Sequence, residues 1–367
     1  MGPESPRPER QERRTASEEV TEVGPNIYRC ELPISLPGLG HVNCYAIEDG
    51  HGVTLVDPGL PDPGTYQALQ QRLGQIGIPV ERVHTVLVTH SHPDHFGGAG
   101  RFKLCHHSEV VAHEQFATLF DPREDDTAEL HDVGPTSIDA GLLEQAIIGD
   151  GPVEELPPRS TPWGGWLPLP SLLEINMLRS WDLESRRGLL TPEPTRRVAD
   201  NEMIRLGGRD WQVIHTPGHT GDHLCLADFE NGLLLSGDHI LPTITPHISG
   251  LTPSADSLAD FFGGLERIRT LEGIQKALPA HGDPFTDVAA RAEAIALHHD
   301  ERLALLTEIG HQIGTANVET FSHELFQERS WGPMAESETY AHLEHLHRGG
   351  HARRERVDGL LFYTIDS

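Results

Sequence analysis

A chain of 367 residues is long enough to bury a full hydrophobic core and to form more than one domain. Its formal charge of −28, from 56 acidic against 28 basic residues, repels polyphosphate and excludes nucleic acid as a default partner. Cys30, Cys44, Cys105 and Cys225 are scattered without a CxxC pair, which argues for buried free thiols over disulfides or a thiolate metal site.

Residues 1–20, rich in Pro, Arg and Glu, read as a disordered tail and lack the apolar run of a signal peptide. No later run reaches membrane-spanning length, so a soluble, cytoplasmic protein is expected. Strand patterns follow at 27–34, 41–47 and 53–56, with turns at Gly38-Leu39-Gly40 and Asp49-Gly50. The third strand ends in Asp57-Pro58-Gly59, and 63–77 reads as a helix with Tyr66, Leu69, Leu73 and Ile76 on one face. The apolar run 84–88 reads as a buried strand. It delivers Thr89-His90-Ser91-His92-Pro93-Asp94-His95-Phe96-Gly97-Gly98, three imidazoles and a carboxylate at a strand end. These are the donors a divalent metal takes when no thiolate is offered.

After a short strand at 109–112 the pattern changes between 115 and 200. Residues 121–132 are dense in acids, and 152–170 are rich in Pro and Gly around Trp163 and Trp166. This span exceeds any sheet crossover and is expected to be a cap over the site. Trp163, Trp166, Met177 and Trp181 would give it an apolar, substrate-binding wall, or else pack the insertion onto the domain. Strands resume at 210–214, 223–227, 232–235 and 275–278, and 256–271 is a helix with Ser254 near its N-cap. Three apolar runs end in Thr216-Pro217-Gly218-His219-Thr220, Leu235-Ser236-Gly237-Asp238 and Pro279-Ala280-His281-Gly282. The stretch 239–247 should line the cleft, with His239 a catalytic hydrogen-bond donor and His247 a substrate contact, each weighed against a structural loop histidine. From 287 the chain is helical over 288–313, 318–328 and 335–347, and then forms a hairpin from 353–357 and 360–365. The third helix carries Glu336, Glu338 and Glu344 where a groove-reading helix needs Arg, Lys or Asn. His342, His345 and His347 read as solvent-facing and not as a second metal site.

The 89–98 stretch resembles the HxHxDH signature of the metallo-β-lactamase-fold hydrolases, and the three later turns resemble that family's remaining ligand loops. The resemblance covers about residues 25 to 285. It implies an α/β fold, a four-layer αββα sandwich over 21–286 with a helical and loop insertion at 115–200. On element order alone, 287–367 resembles the winged-helix-like extension of one branch, which would support the catalytic unit or a homo-oligomer contact. The resemblance further implies two divalent metal ions, zinc first, with iron or manganese as alternatives. His90, His92 and His219 would hold one ion and Asp94, His95 and His281 the other, with Asp238 bridging and Asp57 supporting a ligand imidazole from behind. Such a pair makes hydroxide near neutral pH, and Asp94 would hold it and later pass a proton to the leaving group. No GxSxG nucleophile elbow competes with this chemistry. The expected function is hydrolysis of a small-molecule acyl substrate, a thioester, ester or lactone. Rival readings are a metal-dependent nuclease, an iron-dependent persulfide-type oxygenase and a metal-stabilised binding protein.

Overall fold

The computed structural model describes residues 10–34, 36, 38–118, 140–149, 159–167 and 171–366. The chain opens with strands β1 (Thr21–Gly24), β2 (Ile27–Pro33), β3 (His41–Glu48) and β4 (Val53–Val56), joined antiparallel in sequence. Every residue of β4 and all but the last of β3 are buried. Both faces of these strands are covered, so they read as near-continuous apolar runs instead of alternating. Helix α1 (Pro63–Gln75) begins where Asp62 accepts the Thr65 amide at 3.0 Å and Pro63 occupies its first turn. Its Leu69 and Leu73 sink against the sheet; each fully buried leucine contributes roughly 2 kcal/mol. Strand β5 (Val83–Leu87), the short turns α2 (Pro93–Phe96) and α3 (Ala99–Arg101), and β6 (Glu109–His113) come next.

Between 114 and 196 lie α4 (Ala140–Ile147), a two-stranded hairpin of β7 (Arg159–Ser160) and β8 (Trp166–Leu167), α5 (Leu172–Ser180) and α6 (Leu183–Leu190). Strand β9 (Arg196–Val198) then completes a seven-stranded sheet in the order β1-β2-β3-β4-β5-β6-β9, with β4, β5, β6 and β9 parallel. The second sheet has five strands in chain order, β10 (Met203–Leu206), β11 (Arg209–His215), β12 (Leu224–Asp228), β13 (Leu233–Gly237) and β14 (Lys276–Pro279). Helix α7 (Ser257–Arg269) precedes β14. Between the two sheets Tyr45, Val56, Leu87 and Val111 meet Trp211, Val213, Leu226 and Leu278. Outside the second sheet α7 lays Leu258, Phe261, Leu265 and Ile268 on Cys225, Leu234 and Ala277. Helix, sheet, sheet, helix is the four-layer α/β sandwich.

The last part is α8 (Val288–Ile313), β15 (Ala316–Asn317), α9 (Val318–Leu325), α10 (Pro333–Arg348), β16 (Ala352–Val357) and β17 (Leu360–Ile365). The three strands form one sheet in the order β15-β17-β16, around a separate core of Leu306, Phe321, Leu343 and Tyr363.

Several expectations change. Of the tail expected over 1–20, residues 1–9 lie outside the described residues, and 10–20 are ordered: Glu12 is 3% exposed, Arg14 pairs with Asp283 at 2.8 Å, and Glu31 accepts the Ser17 amide at 2.7 Å. Asp256, not Ser254, caps α7 by accepting the Ala259 amide at 3.0 Å. Helix α10 is not solvated, because it packs against α7, α8 and α9. His342 is fully buried, His345 and His347 are half-buried, and Glu344 accepts from Arg354 and Tyr363. The acid-dense 121–132 segment and much of 152–170 lie outside the described residues. Cys30, Cys44 and Cys225 are buried free thiols and Cys105 is exposed. Cys30 and Cys44, far apart in sequence, are register partners across β2 and β3.

Candidate metal centre

Five strands deliver side chains to one edge of the sandwich. β4 and β5 run parallel in the first sheet, while β11, β13 and β14 share a direction in the second. Asp57 follows β4, His90 to His95 follow β5, His219 follows β11, Asp238 follows β13 and His281 follows β14. Strand ends are rigid and the turns leaving them are short, so the donors are held by backbone rather than by long side chains. Gly237 has φ 49°, and a Cβ there would come within 2.6 Å of His223 Nε2, so only glycine lets β13 turn this tightly under Asp238.

His90, His92 and His219 bring one donor atom each within 4.8 Å of one another, and so do Asp94, His95 and His281, and His90, His95 and Asp238. Asp238 faces both sets: its Oδ2 is 3.5 Å from His219 Nε2 and its Oδ1 is 3.5 Å from His281 Nε2. Asp94 Oδ2 lies 3.4 Å from His95 Nε2 and 3.5 Å from His281 Nε2. Two donors bound at 2.0–2.1 Å to a tetrahedral ion stand about 3.3 Å apart, close to these separations.

Four of the five imidazoles are aimed by their outer nitrogen. Asp57 Oδ2 accepts from His95 Nδ1 at 2.9 Å, the His247 carbonyl from His219 Nδ1 at 2.6 Å, and the His41 carbonyl from His281 Nδ1 at 2.8 Å. Thr89 Oγ1 donates to Asp57 at 2.7 Å and accepts from His90 Nδ1 at 3.0 Å. The inward atoms have no such partner. Nε2 of His95, His219 and His281 and Oδ1 of Asp238 are buried without a hydrogen bond among the described residues. Buried polar atoms normally find partners, so this convergent set fits a cation. Two nitrogens that do meet, His90 Nε2 and His92 Nδ1 at 3.0 Å, belong to the same cluster.

Electrostatics agree. Burial, reinforced by neighbouring imidazoles, holds His90 well below its ordinary pKa and pulls His92 down to about 3. Burial alone would raise Asp94 and Asp238, but His95 and His281 keep both ionised, well below the usual carboxylate range. Burial also disfavours charge on His95 and His281, yet the carboxylates beside them raise both. Positive charge is therefore wanted between these carboxylates, where a divalent ion would supply it.

Other residues fall elsewhere. His239 is fully buried beneath α7, its ring against Phe261 and Gly264, so it cannot donate to a substrate in the cleft. His247 reaches the site through its carbonyl, while its ring Nδ1 lies 3.3 Å from Glu338. Trp163 is 4% exposed in the C-terminal core, where it donates to Glu336 at 2.9 Å and its carbonyl accepts the Leu361 amide at 3.0 Å. Trp181 packs on the first sheet's outer core, and Trp166 and Met177 are 67% and 50% exposed. The four do not make one wall. The insertion's hairpin instead docks on the C-terminal unit.

Two supporting residues carried no motif. His223 is fully buried; its Nε2 accepts the Asp238 amide at 3.0 Å and its Nδ1 donates to Thr216 Oγ1 at 2.8 Å. Asp222 accepts from Ser91 Oγ at 2.9 Å, tying the 90–95 loop to the 219 loop. The proximity of Asp222-His223 to His219 was the available signal. A second imidazole cluster, His299 and His342 with Glu338, also brings donors within 4.8 Å. There, however, Glu338 is already ion-paired with Arg302.

Comparison with known proteins agrees with this geometry. Residues 37–273 match the family model described as the metallo-beta-lactamase superfamily. "Probable metallo-hydrolase YqjP" of Bacillus subtilis is 24% identical over 84% of this chain and 88% of its own. The solved metallo-beta-lactamase family protein TTHA1429 of Thermus thermophilus superposes with a TM-score of 0.70 at 27% identity, covering 93% of this chain and 99% of that one. Over a shorter stretch, 25% of this chain and 33% of the other, the chain is 33% identical to the human "Acyl-coenzyme A thioesterase MBLAC2".

Proposed function

The chain belongs to the metallo-beta-lactamase superfamily of metal-dependent hydrolases, and from that premise we propose that it uses two divalent ions to hydrolyse an acyl thioester. The observation that carries the reading is Asp238, whose two carboxylate oxygens face the two donor sets. Five imidazoles and two carboxylates without a thiolate suit zinc, which we take as the resident metal. The bound ions supply Lewis acidity and a water acidic enough to ionise near neutral pH. His90, His92 and His219 would hold one ion, and Asp94, His95 and His281 the other.

Asp94, ionised and 5% exposed, is placed to accept a proton from the attacking water and to return it to the departing thiolate. Asp57 and the carbonyls of His41 and His247 fix the imidazoles so that no reorientation accompanies the reaction. The human thioesterase supports the choice of bond, over the third of that protein that matches. The order α8, β15, α9, α10, β16, β17 supports a winged-helix-like C-terminal unit. The burial of α10 speaks against its reading nucleic acid. No described helix is long and apolar enough to cross a membrane, and we place the protein in the cytoplasm on its free cysteines.

The test is metal-loaded protein against acyl thioesters, acyl lactones, p-nitrophenyl esters, nitrocefin and single-stranded RNA, with Asp238→Ala as the blank. Thioester turnover that vanishes in the blank is expected. Preference for nitrocefin or RNA, or activity surviving in Asp238→Ala, would overturn the reading.

A further inference from the structure

We infer that a pocket built around Arg10, Arg13 and Arg329, beside the metal centre, binds the phosphate of a phosphopantetheine-type acyl carrier. This rests on the thioester reading and adds recognition of the leaving thiol. Two openings, of about 510 Å³ and about 460 Å³, share Arg10 and Arg13. The first is completed by Arg302, His298, the 243–245 segment, Gly38, Leu39 and one carboxylate, Glu12, and the second by Arg329 and Ser330. In a chain with 56 acidic and 28 basic residues, four guanidinium groups line two openings that share Arg10 and Arg13, and two of the four are answered by carboxylates. Glu12 lies 3.9 Å from Arg13, and Glu338 pairs with Arg302. Arg10 and Arg329 have no ion-pair partner among the described residues. Guanidinium forks match phosphate oxygens, and Thr245 and Ser330 add hydroxyls at the same walls.

The pocket is joined to the metal centre on two sides. Gly282, which follows the ligand His281, packs on Gln11 and Pro242, the sequence neighbours of the lining residues Arg10, Glu12 and Thr243, and a Cβ there would sit 2.9 Å from Gln11 Oε1 and 2.8 Å from Pro242 Cγ. Glu12 accepts from Thr243 at 3.1 Å, binding the 10–13 turn to the loop that leaves Asp238. Opposite, Arg302 pairs with Glu338, Glu338 meets the His247 ring, and the His247 carbonyl aims His219. A long, neutral pantetheine arm anchored by its phosphate here would lead its thioester toward the ions. Both coenzyme A and a carrier-bound phosphopantetheine present that phosphate, and the two are separated by what lies beyond it.

The experiment compares one acyl group carried on pantetheine, on 4′-phosphopantetheine and on coenzyme A, in the native protein, an Arg10→Glu/Arg13→Glu variant and an Arg205→Glu charge control outside the pocket. Phosphate-bearing thioesters should have a KM ~10-fold below the pantetheine thioester, and the double variant should erase that advantage while the neutral substrate changes less than ~2-fold. Coenzyme A outperforming 4′-phosphopantetheine would assign the pocket to the nucleotide-bearing carrier, and equality to the shared phosphate alone. A rise common to all three substrates, an equal rise in Arg205→Glu, or no change would overturn the inference. Direct titration with 4′-phosphopantothenate, which has the phosphate and no thioester, keeps the pocket testable if no thioester is cleaved. Binding that weakens with salt and in the double variant supports the pocket, and absence of binding sinks it.

Discussion

His95, His219 and His281 in one cluster and His299 and His342 in the other are all buried imidazoles near carboxylates, yet their ring nitrogens are spent differently. In the first, every Nδ1 is satisfied from behind and every Nε2 points inward at nothing but other donors. In the second, His299 Nδ1 meets His342 Nε2 at 3.1 Å, and His342 Nδ1 donates to the Glu338 carbonyl at 2.7 Å. The Glu338 carboxylate is neutralised by Arg302. Among the described residues, one cluster keeps three inward nitrogens and a carboxylate oxygen without hydrogen bonds, while the other keeps only His299 Nε2. Ligand competence is decided by what the residues have left to offer, not by their types.

Substitutions can break that comparison, the largest effect first. Asp238→Ala removes the one residue facing both donor sets; hydrolysis should fall about 10³-fold, with metal content by mass spectrometry dropping below two ions per chain. Retention of both ions would mean Asp238 is not shared. Asp57→Asn keeps the shape but loses the charge that holds His95 and Thr89, and metal affinity in a chelator competition should weaken roughly 10- to 100-fold. Glu338→Ala should leave metal content unchanged while stranding Arg302. The cost in urea unfolding should be roughly 2 kcal/mol, below the fully buried case because that guanidinium keeps some solvent. Loss of metal in this variant would show that the second cluster feeds the first through His247.

The smallest effect concerns pH. Burial, with His342 and Arg302 nearby, pushes the His299 pKa down to about 2 from its ordinary 6.5. The unfolded chain therefore binds a proton at His299 that the folded protein refuses below pH 6.5, so stability present above that pH is lost as the solution is acidified. One such group removes about 2 kcal/mol between pH 7 and pH 5. His299→Leu should shrink the drop in unfolding free energy between those pH values by that share. An unchanged drop would mean the folded protein protonates His299 freely.

The donors of the first cluster were readable because a strand end, a tight turn and a His or Asp all lie within a few residues of one another. His239 misled for a local reason: it follows Asp238 by one position, and which side of a turn faces the cleft depends on α7, which covers it. Trp163 and His342 misled for a long-range one. Their surroundings are Leu361, Glu336, His299 and Arg302, brought together only when α8, α10 and the last hairpin assemble. The 10–20 segment looked too polar to order, yet it is anchored through Glu31, Thr243 and Asp283, ionic and hydrogen-bonded partners that its composition does not reveal.

The docking of the insertion hairpin onto the final hairpin has a practical consequence for anyone dissecting this chain. Cutting after residue 286 would remove the unit on which this hairpin rests. It would strip Glu336 and Tyr340 from the Trp163 indole and Leu361 from its carbonyl, and leave a raw aromatic surface, prone to sticking to its own copies, on the half that keeps the ligand loops.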